Sequence, residues 1–166
     1  MSQADLVNTY SVGSGDSVSY VQIEFDNDNT YLFDVAYEDD GDVSGWDLLQ
    51  IMTSDLPNVL TMEYETYSWG HWLQGLGIEN DYAFGTGAGF PDFDDYWAYW
   101  VAMPGTSPNW DFAPVGADSW MVSDGSWDAW TFHPDGATPP QAIPAPMGLP
   151  IVLLIWLPRR RRCRLG

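Results

Sequence analysis

Between Tyr20 and Tyr37 apolar and polar residues alternate closely enough to fix the local fold. Val21, Ile23 and Phe25 fall on one side of the chain, and Tyr20, Gln22 and Glu24 on the other. After Asp26-Asn27-Asp28-Asn29 the alternation resumes with Tyr31, Phe33, Val35 and Tyr37. A period of two belongs to a half-buried strand, because successive side chains leave a strand on opposite faces. Asn and Asp tolerate left-handed backbone and bond their own main chain, so the polar tetrapeptide is a turn. Two such runs around a short turn predict a β-hairpin.

The rest of the chain reads as further strands and one short helix. Residues 1–16 are polar, carry Gly13 and Gly15, and are expected to be a flexible N-terminus. After the acidic loop Glu38 to Asp42, Ser44 with Asp47 three residues on forms a capping box. Trp46, Leu48, Leu49, Ile51 and Met52 then give a helix one apolar stripe. Pro57 lies just past its end. Residues 59–67 alternate again and predict a strand. Residues 68–78, with Gly70, Gly75 and Gly77, fit either a glycine-broken strand or a turn of helix. Residues 79–94 read as a loop, and 96–101, aromatic throughout, as a strand covered on both faces. Trp110 to Phe112 fits a short strand, Gly116 to Ser119 a bend, Asp124-Gly125 a turn, and Ala129 to Phe132 a closing strand. The fold expected is α+β and mostly β: a small β-grasp-like or sandwich-like domain with one short helix over 17–133. A stiff Pro-rich linker over 134–146 and a tail over 147–166 follow it.

Charge is segregated. The chain has 166 residues, 24 of them acidic and none of these beyond Asp135. Its five basic residues are all arginines, at or after Arg159, and the net charge is −19. An acidic body of this kind repels a phosphate backbone, so nucleic acid is excluded as a partner. With 10 Trp, 9 Tyr and 7 Phe it is too aromatic for a disordered acidic segment, and long enough for a real core. The single cysteine, Cys163, rules out an internal disulfide framework. Ser2-Gln3-Ala4-Asp5 places small residues at alternate positions, as at a signal-peptidase site, and suggests a chain starting inside or just after a secretory signal.

The C-terminal segment has three parts in order: Ile143-Pro144-Ala145-Pro146, the apolar Met147 to Pro158, and the basic Arg159 to Arg164. This resembles the PEP-CTERM sorting signal of Gram-negative bacteria, with Ala145 where that signal carries glutamate. Leu149, Ile151, Val152, Leu153, Leu154, Ile155, Trp156 and Leu157 correspond to its membrane stretch, though about 20 residues are needed to span a bilayer as a helix. Arg159, Arg160, Arg161, Arg162 and Arg164 correspond to its basic anchor, held on the cytoplasmic side by the positive-inside rule. The resemblance implies an inner-membrane-tethered precursor and cleavage near Pro144, Ala145 and Pro146 by an exosortase. Release to the cell surface or transfer to exopolysaccharide would follow. The chain would be a substrate and not an enzyme. A permanent anchor, or a basic patch on anionic lipid, is the alternative.

The body carries a second ordered set of motifs. Val43-Ser44-Gly45-Trp46-Asp47-Leu48-Leu49, Tyr67-Ser68-Trp69-Gly70-His71-Trp72-Leu73 and Gly77-Ile78 come first. Tyr96-Trp97-Ala98-Tyr99-Trp100, Gly116-Ala117-Asp118 and Asp124-Gly125 with Trp130 follow. This order resembles the domain of unknown function similar to the C-terminal domain of transcobalamin, and implies a β-grasp-like fold. A corrinoid ligand would need a second, helical domain.

Catalytic motifs are lacking. No nucleophile elbow, zinc-protease motif or phosphate loop occurs, and His71 and His133 are the only histidines. Hard cations want clustered oxygens, so calcium would draw on Asp26, Asp28, Asp39, Asp40, Asp42, Asp92, Asp94 and Asp95. A sugar would stack on one or two tryptophans at a loop rim, from among Trp69, Trp72, Trp97, Trp100, Trp110, Trp127 and Trp130; the others are expected in the core. The reading is thus a non-enzymatic, exported surface or matrix protein. A carbohydrate, corrinoid-like or calcium-binding module is the alternative.

Overall fold

A computed structural model describes residues 5–39, 41–87, 95–105, 108–132 and 137–143. The expected hairpin is present: β2 (Ser17–Glu24) pairs antiparallel with β3 (Asn29–Tyr37). Asp28 in its turn has φ 66°, the left-handed geometry for which Asn and Asp are suited. The chain then crosses into α1 (Gly45–Asp55). Ser44 Oγ accepts from Asp47 N, and Asp47 Oδ2 accepts from Ser44 N at 2.9 Å, so the capping box is complete. Leu56, which precedes Pro57 and is therefore pushed out of helical geometry, ends the helix at φ −120°. Trp46, Leu48, Leu49 and Met52 form its buried stripe.

A three-stranded meander follows, β4 (Leu60–Tyr67), β5 (Gly70–Ile78) and β6 (Asp81–Phe84). The chain returns to the large sheet through β7 (Trp97–Ala102), the two-residue β8 (Asp111–Phe112), a 3-10 turn at Ala117–Ser119 and β9 (Trp127–Phe132). The large sheet has the order β1-β3-β2-β9-β7-β8. At its centre β9 lies parallel to β2 and antiparallel to β7. A hairpin, a helix and two further strands in the order β3-β2-β9-β7, with the parallel pair innermost, make the β-grasp arrangement. The domain is α+β and mostly β, as the sequence predicts. Its main core lies between this sheet, α1 and the meander, around Ile23, Phe33, Leu48, Leu49, Met52 and Leu76.

Three expectations are corrected. The N-terminal stretch is not loose throughout: β1 (Asp5–Gly13) is an edge strand parallel to β3. The stretch 79–94 contains β6. The Pro-rich segment is not a free linker where it is described. Gln141 N donates to Glu24 Oε2 at 2.9 Å, and Gln22 Nε2 donates to Gln141 O at 2.9 Å. Thr131 Oγ1 donates to Thr138 O, Pro140 is buried, and Ile143 packs on Leu32, Ala102 and Trp127. Residues 137–143 thus strap the second face of the sheet. That is why Gln22 and Glu24, read as solvent-facing, are fully buried.

The strap contributes to stability because buried polar groups cost free energy when their partners are removed. A chain ending at residue 136 should be less stable than one ending at residue 143 by about 3 kcal/mol. Denaturant midpoints of the two truncations measure this, and equal midpoints would show that the strap adds nothing.

Candidate functional site

The turn joining β5 to β6 is fixed to the edge of the large sheet. Glu79 accepts from Asn8 Nδ2 at 3.0 Å and from the Tyr10 hydroxyl. Asp81 accepts from Asn27, Asn29 and Tyr31 at 2.8, 2.9 and 2.6 Å. Burial works to raise the Asp81 carboxyl, but these three donors hold it below its ordinary value. At the other end Asp118 accepts from His71 N and meets His71 Nδ1 at 2.5 Å, clamping β5 to the 3-10 turn. The His71 ring lies parallel to Trp46, with centroids 4.6 Å apart. The meander is therefore anchored at both ends, with one face on the core and the other in solvent.

That outer face has a regular construction. On β4 the alternation places Thr61, Glu63, Glu65 and Tyr67 outward, all exposed. On β5, opposite Glu63 and Thr61, stand Gly75 and Gly77, and on β6 opposite these stand Phe84 and Tyr82. A Cβ on Gly77 would come within 2.6 Å of Thr61 Oγ1 and 3.2 Å of the Tyr82 ring. One on Gly75 would meet Phe84 at 3.1 Å and Tyr82 Oη at 3.3 Å. The two glycines leave a trough in which Tyr82 lies across β5 and donates its hydroxyl to Glu63 Oε1 at 2.8 Å. Tyr67 likewise donates to Glu65 and stacks on Trp69, centroids 5.0 Å apart and planes 5° from parallel. Both phenols are held above their ordinary pKa, first by the hydrogen bond to glutamate. Trp69 is 61% exposed and Tyr82 56%.

A different polar group is sealed inside. Asp128, on the inner face of β9, accepts a hydrogen bond from the Tyr99 hydroxyl, and its Oδ2 has no hydrogen-bond partner among the described residues. Burial raises its carboxyl to about 7, against the lowering effect of the Tyr99 bond. Burial also pushes Tyr99 well up. Tyr99 also borders a cleft lined by Trp72, Tyr96, Phe112 and Pro114.

Those of the acidic residues named for calcium that are among the described residues are not brought together into a metal-like cluster. Asp28 accepts from Gln141 Nε2, Asp39 from Gly41 N, and Asp95 from Thr86 N and Oγ1. Asp26 lies on the exposed β2–β3 turn and Asp42 on the loop before α1. Among the described residues no three His, Cys, Asp or Glu converge as for a metal ion. Asp40, Asp92 and Asp94 lie outside the described residues, as does every sorting residue: Pro144, Ala145 and Pro146, the stretch from Leu149 to Leu157, and Arg159 to Arg162 with Arg164. Among the described residues no helix is long and apolar enough to cross a membrane. Of the tryptophans considered for sugar stacking, Trp97, Trp100, Trp127 and Trp130 are buried, Trp72 and Trp110 are partly covered, and Trp69 stands open. Tyr82 and Phe84 escape the sequence reading because their strand reads as a loop.

No family model matches the chain, and no curated protein does. Among solved structures it is similar to a Ruminococcus gnavus protein described as a "putative metal binding protein", at 14% identity and a TM-score of 0.45. That likeness covers 70% of this chain and 95% of the other, and is too distant to carry fold detail or a ligand across.

Proposed function

We propose that the chain is a non-enzymatic, exported bacterial surface or extracellular-matrix protein whose C-terminal segment is a PEP-CTERM-like sorting signal. The body is the cargo. The tail holds the precursor in the inner membrane until an exosortase-type enzyme cuts near Pro144 to Pro146 and passes the body to the surface or its exopolysaccharide.

One observation supports this reading above the others. The motif Ile143-Pro144-Ala145-Pro146, the apolar Met147 to Pro158 and the basic Arg159 to Arg164 follow one another in the order of such a signal. The charge order agrees: arginine blocks stay on the cytoplasmic side, and all the arginine here is terminal.

Intact mass of the protein recovered from its native cell surface tests the proposal. A mature form ending between Pro144 and Pro146 is expected, and a form extending to Gly166 would refute cleavage. Replacing the basic block (Arg159→Glu, Arg160→Glu, Arg161→Glu, Arg162→Glu) should leave the protein unprocessed or misrouted. Unchanged routing and processing would remove the block from the signal.

A further inference from the structure

We infer that the outer face of the β4–β5–β6 meander is a binding platform for a neutral, hydroxyl-rich glycan chain. This goes beyond the sorting proposal and stands whether or not the tail is cut. The face offers two flat aromatic plates. One is Tyr82, laid over the Gly75–Gly77 trough with its free side toward solvent. The other is Trp69, backed by Tyr67. Sugar rings present C–H faces that pack on such plates. Glu63 and Glu65 lie beside them as hydroxyl acceptors, and Phe84 extends the apolar strip. From Thr61 to Tyr67 the strand spans roughly 20 Å, the length of several sugar units.

The plates are pre-set. Each tyrosine hydroxyl is tethered to a glutamate of β4, and both ends of the meander are clamped to the rest of the fold. Little side-chain freedom is lost when a ligand settles, which favours binding. Packing within the fold accounts for the inner faces of these rings but not for leaving the outer faces open.

Charge selects the occupant. The body has no lysine or arginine before Arg159, and the platform carries two carboxylates. An anionic polysaccharide is repelled. A second copy of the chain would set the same carboxylates against each other. A neutral polyol meets neither obstacle, and its hydroxyls are donors for the carboxylates.

Affinity electrophoresis of the full chain in gels containing laminarin, dextran or galactomannan tests this, with alginate as the anionic control. Retardation is expected in at least one neutral polymer and none in alginate. The Trp69→Ala/Tyr82→Ala double variant should lose at least ten-fold in affinity while keeping its far-UV circular dichroism and thermal midpoint within a few degrees. Tyr82→Phe, which keeps the plate but not the tether, should lose less. No retardation in any neutral polymer, retention in alginate, or undiminished binding by the folded double variant would each overturn the proposal. So would concentration-dependent dimers abolished by the same double variant. If that variant unfolds, Trp69→Ala alone, on the exposed turn, replaces it with the same criteria.

Discussion

Replacing Gly45 with alanine should cost at least about 3 kcal/mol of stability and lower Tm by roughly 10 °C. Gly45 is the first residue of α1. A Cβ there would lie 2.0 Å from the Tyr99 hydroxyl oxygen and 3.0 Å from Asp128 Oδ1. Tyr99 cannot retreat easily, because its ring stacks on Trp130 at 4.6 Å and both are buried. Interiors are packed to crystal-like density, so such an overlap is not absorbed for free. Moving the hydroxyl also deprives Asp128 of its donor, and an unsatisfied buried polar group adds its own penalty. Adding Tyr99→Phe to Gly45→Ala removes the colliding oxygen and should recover part of the loss, a coupling that a double-mutant cycle quantifies. A Gly45→Ala variant within 0.5 kcal/mol of the parent would show that the helix start has slack here.

Asp128→Asn should remove a pH dependence of on the order of 3–4 kcal/mol. The sign follows from proton counting. The folded protein holds the Asp128 proton up to about pH 7, whereas an unfolded aspartate releases it near pH 4. Between those values the folded state binds more protons, so this residue makes the protein less stable as pH rises. Below about pH 4 both states are protonated and the penalty is absent; above about pH 7 it is complete. Asp81 and Glu79, whose carboxyls are lowered, act oppositely and favour the folded state once the pH exceeds the ordinary carboxylate range. Denaturant midpoints of parent and Asp128→Asn, taken from pH 5 to 8, separate the effects. The variant should gain steadily on the parent from pH 5 to about pH 7 and hold a constant margin from there to pH 8. Parallel curves would mean that Asp128 ionises at no cost.

Much of the framework is legible from sequence because its signals are local. Period-two alternation gives β2 and β3, Ser44 with Asp47 gives the helix start, and the aromatic run gives β7. β1 is missed because an exposed edge strand needs no apolar face; its Asn8, Thr9 and Ser11 read as loop. β6 is four residues long and sits among Gly, Asn and Asp. The strap over 137–143 is hidden for another reason. Proline-rich sequence describes an extended chain equally well whether it waves in water or lies on a sheet. The choice is made by Glu24 and Gln22, more than a hundred residues earlier. The platform is half legible: Trp69 is named among the sugar candidates. Tyr82 and Phe84 are invisible until β6 is seen, and Gly75 and Gly77 suggest a broken strand where they make room for a ring.

The placement of β9 has a consequence for how such a polymer matures. The strand at the middle of the large sheet is among the last segments of the body, bonded to β2 about a hundred residues upstream. A chain emerging N-terminus first can pair β1 to β3 early. It cannot close its centre until Trp127 to Phe132 emerge, and the strap only after that. Late, long-range closure of this kind is slow and leaves raw edges waiting. Closure of the fold is thereby timed to the arrival of residues 127–143.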